Sequence, residues 1–309
     1  MRVVSDISLL PYNTFGIDAK AKLFIEYYSL DELRQVLKEH KGERMLHIGQ
    51  GSNLLFTKDF DGVILHSGMA RAKFLDDETV EAQNGLRLDD MIAQLTDMGY
   101  SGLEKLSLIP GEVGASAVQN VGAYGVEAKD VIERVYTIDV ETQEERVFTN
   151  AECKFGYRDS VFKHELKGKY IVTSVVYKVK PGDATKTREE IIETRNGKLP
   201  KVGEVGSAGS FFMNPFVSKE QAKELLKKYP DMPHFDTPQG VKIPAAWLIE
   251  QCGWKGKTLG GAQVWPKQPL VIVNANHASA QDIMDLAAKV SASVKEKFNI
   301  SINPEVNYI

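Results

Sequence analysis

The spacing of apolar and polar positions divides the chain into helices with start signals and short strand-like runs. Ser29 and Glu32 form a capping box ahead of Leu33, Val36 and Leu37, whose spacing places them on one helical face. Thr187 with Glu190 and Ser218 with Gln221 repeat the pattern, predicting two further helix starts. Helices are also expected from about Leu88 to Met98, with Gly99 past the end, and from about Pro244 to Cys252, with Gly253 in the same role. A last long helix should follow Ser279 and bury Ile283, Leu286, Ala287, Val290 and Val294. Between these lie strand-like runs at Leu23 to Tyr28, Met45 to Ile48, Val63 to His66, Val131 to Val140, Tyr170 to Val179 and Leu270 to Asn274. The elements do not alternate strictly, so the pattern predicts an α+β fold.

Turn-forming residues punctuate two places. Lys180 to Asp183 reads as a turn after a long strand, and Lys198 to Gly206 reads as a linker, which sets the main boundary near Lys198. With 309 residues the chain suggests two or three domains. Apolar residues make up 43% and charged residues 26%, a balance that suits a soluble globular protein. No run approaches the roughly 20 apolar residues that span a bilayer, and Met1 to Asp6 lacks the apolar core of a secretory signal, so a cytoplasmic location is expected. The net charge of −4, with acids and bases interspersed, gives no electrostatic case for nucleic acid or membrane binding. Cys153 and Cys252 stand far apart and outside any zinc spacing, and no histidine sits in a ligand pattern, so no metal is expected.

The most informative stretch runs from Leu108 to Gly125. It holds four glycines and the paired carboxamides Gln119 and Asn120, without helical or alternating periodicity. Such a loop can present backbone N–H groups to a large anionic cofactor, or it can be a run of tight turns, and spacing alone gives both readings equal weight. A second glycine turn, Gly49-Gln50-Gly51-Ser52-Asn53, follows the Met45 to Ile48 run and favours the cofactor bed. Leu54 replaces the third glycine of the dinucleotide fingerprint, which leaves the Rossmann reading weak.

Six motifs then occur in order along nearly the whole chain. They are Asn13-Thr14-Phe15-Gly16, Gly49 to Leu55, the 108–125 loop, Gly156-Tyr157-Arg158-Asp159-Ser160, Gly209-Ser210-Phe211-Phe212 and Pro304-Glu305-Val306. Together they resemble the UDP-N-acetylenolpyruvoylglucosamine reductase (UDP-N-acetylmuramate dehydrogenase) family. The resemblance implies a two-lobed FAD-binding unit of the vanillyl-alcohol-oxidase type followed by an α+β substrate-binding domain. Residues 1–66 and 67–198 would form the lobes, the second completed by 299–309, and 199–298 the substrate domain. The implied reaction is FAD-dependent reduction of UDP-N-acetylglucosamine enolpyruvate to UDP-N-acetylmuramate, with NADPH as co-substrate, in peptidoglycan precursor synthesis. A monomer is expected. The resemblance also implies cofactor contacts at Gly49, Gly51, Ser52, Asn53, Pro110, Gly111, Gly114, Ala115, Ser116, Gln119, Asn120, Gly122 and Ala123.

Reduction of an enolpyruvyl ether needs hydride from a redox cofactor, a proton donor, and fixed charges for the anion that develops between the two transfers. Arg158 can clamp a carboxylate through two parallel hydrogen bonds. Taken alone it reads as an ion pair with Asp159; the resemblance makes it catalytic. Ser210 alone reads as a turn serine without a base, and the resemblance makes it the proton donor. Glu305 alone reads as an exposed acid, and the resemblance places it beside the developing enolate. Lys198, Asn214 and Lys255 match diphosphate contacts, Gln268 matches a contact near the enolpyruvyl carboxylate, and Tyr157 is a further substrate contact; each lysine alone reads as a solvated surface residue.

The chain departs from the family pattern in two places. Only about eighteen residues, none of them tyrosine, separate the strand ending at Val179 from Lys198, where many members carry a longer loop with a tyrosine over the diphosphate. Asn307 stands where some members have arginine. A flavin oxidase using oxygen and a non-catalytic flavin- or nucleotide-sugar-binding protein are the alternatives. The presence of Arg158, Ser210 and Glu305 together argues against the second. A hydrolase or kinase lacks its motifs here.

Overall fold

The structure is a computed structural model that describes residues 1–201 and 203–309. The chain forms two compact units. The first comprises Met1–Tyr12, Lys20–Gly51 and Asp59–Gly197, the second Asn13–Ala19, Ser52–Lys58 and Lys198–Ile309.

The first unit is built on two main sheets, beside two short two-stranded ones. In one, Arg2–Ser8 pairs antiparallel with Lys20–Tyr27, which lies parallel to Phe60–Ser67, itself parallel to Met45–Ile48. The consecutive buried residues Val63, Ile64 and Leu65 suit an inner strand covered on both faces. Helix Leu30–Glu39 packs Leu33, Val36 and Leu37 against Ile25, Tyr27, Val63 and Leu65, and its Ser29 cap accepts from the Glu32 N–H. The other sheet is antiparallel, in the order Glu145–Thr149, Ile132–Asp139, Tyr170–Lys178, Thr79–Gln83, Ala72–Asp76. Helices Leu88–Asp97 and Val113–Gln119 contribute to its core.

The second unit holds the antiparallel sheet Gly206–Ser210, Val271–Asn274, Ala262–Val264, Thr258–Leu259 and a smaller sheet of Phe216–Val217, Gly240–Lys242 and Phe235–Thr237. Helix Ala280–Phe298 starts from a complete capping box of Ser279 and Asp282 and buries all five predicted positions. This mixture is the expected α+β fold.

Three local expectations change. Residues Val113–Gln119 form a helix inside the stretch that shows no helical period, because Val113, Gly114, Ser116 and Ala117 are all buried and no polar stripe remains to mark a face. The helix expected to start at Thr187 begins at Thr185, where the Asp183 carboxylate accepts the Thr185 N–H and takes the role expected of Thr187. The C-terminal segment, expected to complete the second lobe, belongs to the second unit: Asn307–Tyr308 runs parallel to Leu54–Leu55, and the Thr57 N–H donates to the Ile309 carbonyl at 2.9 Å.

Candidate active site

In the first unit, the strand Met45–Ile48 delivers the chain into the Gly49 turn. Gly51 has φ +64°, a left-handed conformation that favours glycine. Gly49 is glycine for a different reason: a Cβ there would lie 3.0 Å from Glu112 Oε2 and 3.3 Å from its Cδ. The Gln50 side chain accepts the Gly111 N–H at 2.9 Å. These contacts hold the Gly49 turn against the Gly111–Glu112 segment. Among the described residues, the N–H groups of Gly49, Gln50, Gly51 and Ala115 donate to no protein acceptor.

Other parts of the 108–125 loop are engaged within the protein. The Val113 and Gly114 N–H groups donate to the Leu86 and Asn84 carbonyls at 2.9 and 3.0 Å. The Ser116 hydroxyl is buried against the Val113 carbonyl and the Tyr177 hydroxyl. Asn120, in a left-handed conformation at the helix end, donates its amide to the Gly156 carbonyl at 2.6 Å and accepts the Lys129 N–H at 2.9 Å. Gln119 accepts from the Lys163 ammonium at 3.2 Å. Pro110 and Ala123 are partly buried, and Gly122 pairs with Glu127.

Those contacts fasten the 156–163 loop to the 118–122 segment and set Arg158. The Ser160 hydroxyl donates to the Val118 carbonyl, and the Lys163 ammonium to the Arg158 carbonyl, both at 2.7 Å. Arg158 has φ +54°, a conformation that costs an ordinary residue about 1–2 kcal/mol and that this web of contacts must hold. Its guanidinium donates to the Gly122 carbonyl, sits 3.9 Å from Glu127 Oε1 and lies 5.3 Å from the Tyr157 ring centroid. The Asp159 carboxylate, the partner that Arg158 taken alone suggests, is engaged by His164 at 2.8 Å.

In the second unit, Ser210 ends the strand Gly206–Ser210 just after a β-bulge. Ser207 pairs with Val273 and Ser210 with Val271, so Ala208 and Gly209 face the single residue Ile272, and Gly209 turns through φ +67°. Such a bulge re-aims the side chain that follows it. Ser210 is exposed, and its hydroxyl has no partner among the described residues. The chain then runs beside the C-terminal segment. The Phe211 carbonyl accepts the Glu305 N–H at 2.7 Å, Phe212 bridges Pro304, and the Asn53 amide donates to the Glu305 carbonyl at 3.2 Å. Glu305 therefore sits across from the residue after Ser210. Ser52 and Asn53 lie in this unit, not with the other expected cofactor contacts.

The four substrate residues expected in this unit have local partners. Asn214 Oδ1 accepts the Ala245 N–H at 2.9 Å, capping helix Ala245–Gln251. Lys255 pairs with Glu250 at 2.8 Å, the Lys198 carbonyl accepts the Trp265 indole N–H at 3.0 Å, and the Gln268 side chain closes a turn with the Leu270 N–H.

Comparison with known proteins bears on both units. Residues 200–309 match the model for the C-terminal domain of UDP-N-acetylenolpyruvoylglucosamine reductase, and residues 21–146 match that for an FAD binding domain. The UDP-N-acetylenolpyruvoylglucosamine reductase of Bacteroides fragilis is 46% identical over 98% of both chains, and that of Flavobacterium johnsoniae 42% identical over the full length of both. The chain belongs to the UDP-N-acetylenolpyruvoylglucosamine reductase family. The crystal structure of the Thermus caldophilus reductase aligns over 100% of this chain and 99% of its own, with a TM-score of 0.77 at 25% identity. This family member is an FAD-dependent oxidoreductase. The four uncommitted N–H groups at Gly49, Gln50, Gly51 and Ala115 suit the anionic diphosphate of FAD, which is the observation in this structure that fits the cofactor.

Several residues of the first unit escape sequence reasoning. Asp89 holds Arg188 through both carboxylate oxygens, at 2.7 and 3.2 Å, and accepts the Leu108 N–H; burial alone would raise its pKa, but these bonds bring it below the usual range. Among the described residues, Arg195 Nε is buried without a partner, and desolvation lowers the guanidinium's pKa despite the nearby Tyr124. Helix Thr185–Lys198 carries both arginines seven positions apart, a spacing that repeats on one face. His66 lies between Glu26 and Glu112, with Nδ1 2.9 Å from one carboxylate and Nε2 3.1 Å from the other. That chain joins residues too far apart in sequence for any spacing rule to find. Among the described residues, no group of His, Cys, Asp and Glu is arranged to hold a metal, and no helix is long and apolar enough to cross a membrane.

Proposed function

We propose that this protein reduces UDP-N-acetylglucosamine enolpyruvate to UDP-N-acetylmuramate with NADPH, acting as a cytoplasmic monomer in peptidoglycan precursor synthesis. FAD, once bound, supplies the hydride, taken from NADPH and delivered to the methylene carbon of the enolpyruvyl group. Ser210 gives a proton to the neighbouring carbon. Arg158 steadies the negative charge that builds on the carboxylate, and Glu305 assists. The observation that carries this reading is the serine itself. Its hydroxyl is uncommitted, the Gly209 bulge presents it, and the backbone of Glu305 is anchored beside it.

In the same reading Lys198, Asn214 and Lys255 hold the substrate diphosphate, Gln268 meets the enolpyruvyl carboxylate, and Tyr157 packs against the substrate. Lys255 must first leave Glu250, an exposed pair whose rupture costs about 1 kcal/mol or less. The N–H groups of Gly49, Gly51 and Ala115 meet the cofactor directly. Gly111, Gly114, Ser116 and Asn120 shape the bed through their protein bonds, Pro110, Gln119, Gly122 and Ala123 border it, and Ser52 and Asn53 are cofactor contacts by the family resemblance.

The test is to follow NADPH absorbance with and without the enolpyruvyl substrate. Wild type should consume NADPH stoichiometrically with that substrate. Ser210→Ala should still accept hydride from NADPH into the flavin while turnover falls by about 10²–10⁴. A Ser210→Ala variant with full turnover would refute the serine's role. A flavoprotein indifferent to the substrate would refute the reaction, and substrate-dependent peroxide would point to an oxidase.

A further inference from the structure

Glu112 stands within the 108–125 loop but takes no part in the proposed chemistry. It is 5% exposed, and as the residue before helix Val113–Gln119 it makes no side-chain cap. Its carboxylate turns the other way. Oε1 meets His66 Nε2 at 3.1 Å, and Oε2 fills the space where a Gly49 side chain would be. On its far side His66 Nδ1 meets Glu26 Oε1 at 2.9 Å. A neutral imidazole has one N–H, which serves one of the two acids. At the other nitrogen a lone pair would then face a carboxylate oxygen. The arrangement is satisfied only when one more proton resides between His66 and an acid.

The surroundings reinforce that requirement. Groups facing the chain are Arg2 at 4.0 Å from Glu26, the Tyr28 hydroxyl on Glu26, the Tyr12 and Phe24 rings beside His66, and the Tyr27–His47 pair behind it. Of these only exposed Arg2 is a fixed cation. Burial opposes the imidazolium, yet the two acids outweigh it and raise the pKa of His66; burial raises that of Glu112. Both shifts extend the range in which the chain keeps its proton. Its stabilising contribution is complete below the ordinary histidine value of 6.5 and is lost as pH rises through the raised one.

We propose that Glu112, bridged through His66 to Glu26, is a positioning residue for FAD: the proton it shares with His66 keeps the Gly49 turn closed on the Gly111–Glu112 segment, and losing that proton loosens the cofactor. Without the proton, a buried carboxylate faces a lone pair, and its way out is to swing off Gly49. The turn then loses its cover, and the N–H groups of Gly49, Gln50 and Gly51 lose their fixed direction.

The experiment measures FAD release from the full-length holoprotein by flavin fluorescence, between about pH 6 and about pH 9.5, for wild type, Glu112→Gln and Glu112→Ala. A single linked proton weakens wild-type affinity by up to about tenfold per pH unit once it is lost. Glu112→Gln donates its amide to a neutral His66 and needs no extra proton, so its retention should match wild type near neutrality and stay flat above it. Glu112→Ala should release FAD more readily throughout the range. Parallel wild-type and Glu112→Gln profiles would overturn the proposal, as would a wild-type profile without pH dependence. If Glu112→Ala does not fold, the first comparison still decides. Wild-type FAD binding near neutrality tests the cofactor assignment separately.

Discussion

Gly114→Ala sets two opposing effects of known size against each other. Alanine in a helix interior is favoured over glycine by about 1 kcal/mol, so substitution within Val113–Gln119 should by propensity alone stabilise the protein. At this position, however, the new Cβ would lie 2.9 Å from Asn84 Cβ, 3.4 Å from its carbonyl oxygen and 3.5 Å from its Cα. Asn84 cannot give way cheaply. Its amide donates to the Tyr27 hydroxyl and the Val172 carbonyl, its side-chain oxygen accepts from Ser67, its N–H donates to the Thr173 carbonyl, and its own carbonyl accepts the Gly114 N–H. Overpacking of this kind costs about 1–3 kcal/mol, and stretching the Gly114 hydrogen bond about 1 kcal/mol more. Against the helical gain, the net expectation is a loss of about 1–3 kcal/mol. With an m-value of about 2 kcal/mol/M in urea, that moves the unfolding midpoint down by about 0.5–1.5 M. Far-UV circular dichroism and flavin release should both register the shift. Trp247, Trp254 and Trp265 all lie in the second unit, so indole fluorescence follows that unit instead. A variant as stable as wild type would show that Asn84 moves aside and that the close approach is not what requires glycine.

Two further outcomes are expected. Burial depresses the pKa of His47 to about 3, with protonated His66 adding to the effect, so the unfolded chain gains a proton here below pH 6.5 that the folded state refuses. Stability should fall by up to about 1.4 kcal/mol per pH unit as acidification proceeds from there, and His47→Gln, with an amide facing the Tyr27 hydroxyl, should flatten urea midpoints measured across that range. Glu305→Gln should keep the Phe211 carbonyl contact, which uses the backbone N–H, and so should fold normally while lowering kcat with the enolpyruvyl substrate; unchanged kcat would remove Glu305 from the reaction.

Most of the fold is legible because its signals are local. Ser29, Ser218 and Ser279 cap the helices that follow them, and the last helix buries the face its spacing predicts. Sequence reading fails where the reason for an element lies elsewhere in the chain. Val113–Gln119 has no apolar stripe because its neighbours surround it, and Thr187 resembles a cap although Asp183 receives the first N–H of the helix. The same limit applies to the candidate site. Ser210, Arg158 and Glu305 are found by motif, whereas the bulge that presents Ser210 exists only once Gly206–Ser210 pairs with Val271–Asn274.

The two glycine segments illustrate the difference most sharply. In sequence both read as beds of backbone donors for an anion, because glycine spacing carries no record of which N–H groups are already used. In the fold they divide the work. Gly49, Gln50 and Gly51 keep their donors uncommitted, whereas Gly111 and Gly114 give theirs to Gln50 and Asn84 and so hold the bed in place. Gly49 and Gly114 are then glycines for the same physical reason, since a Cβ at either would meet Glu112 or Asn84 at about 3 Å. Gly49→Ala should therefore be partly rescued by Glu112→Ala, which vacates the space, and Gly114→Ala should not be. A double-mutant cycle on FAD affinity tests the coupling, and strictly additive losses at Gly49 and Glu112 would refute it.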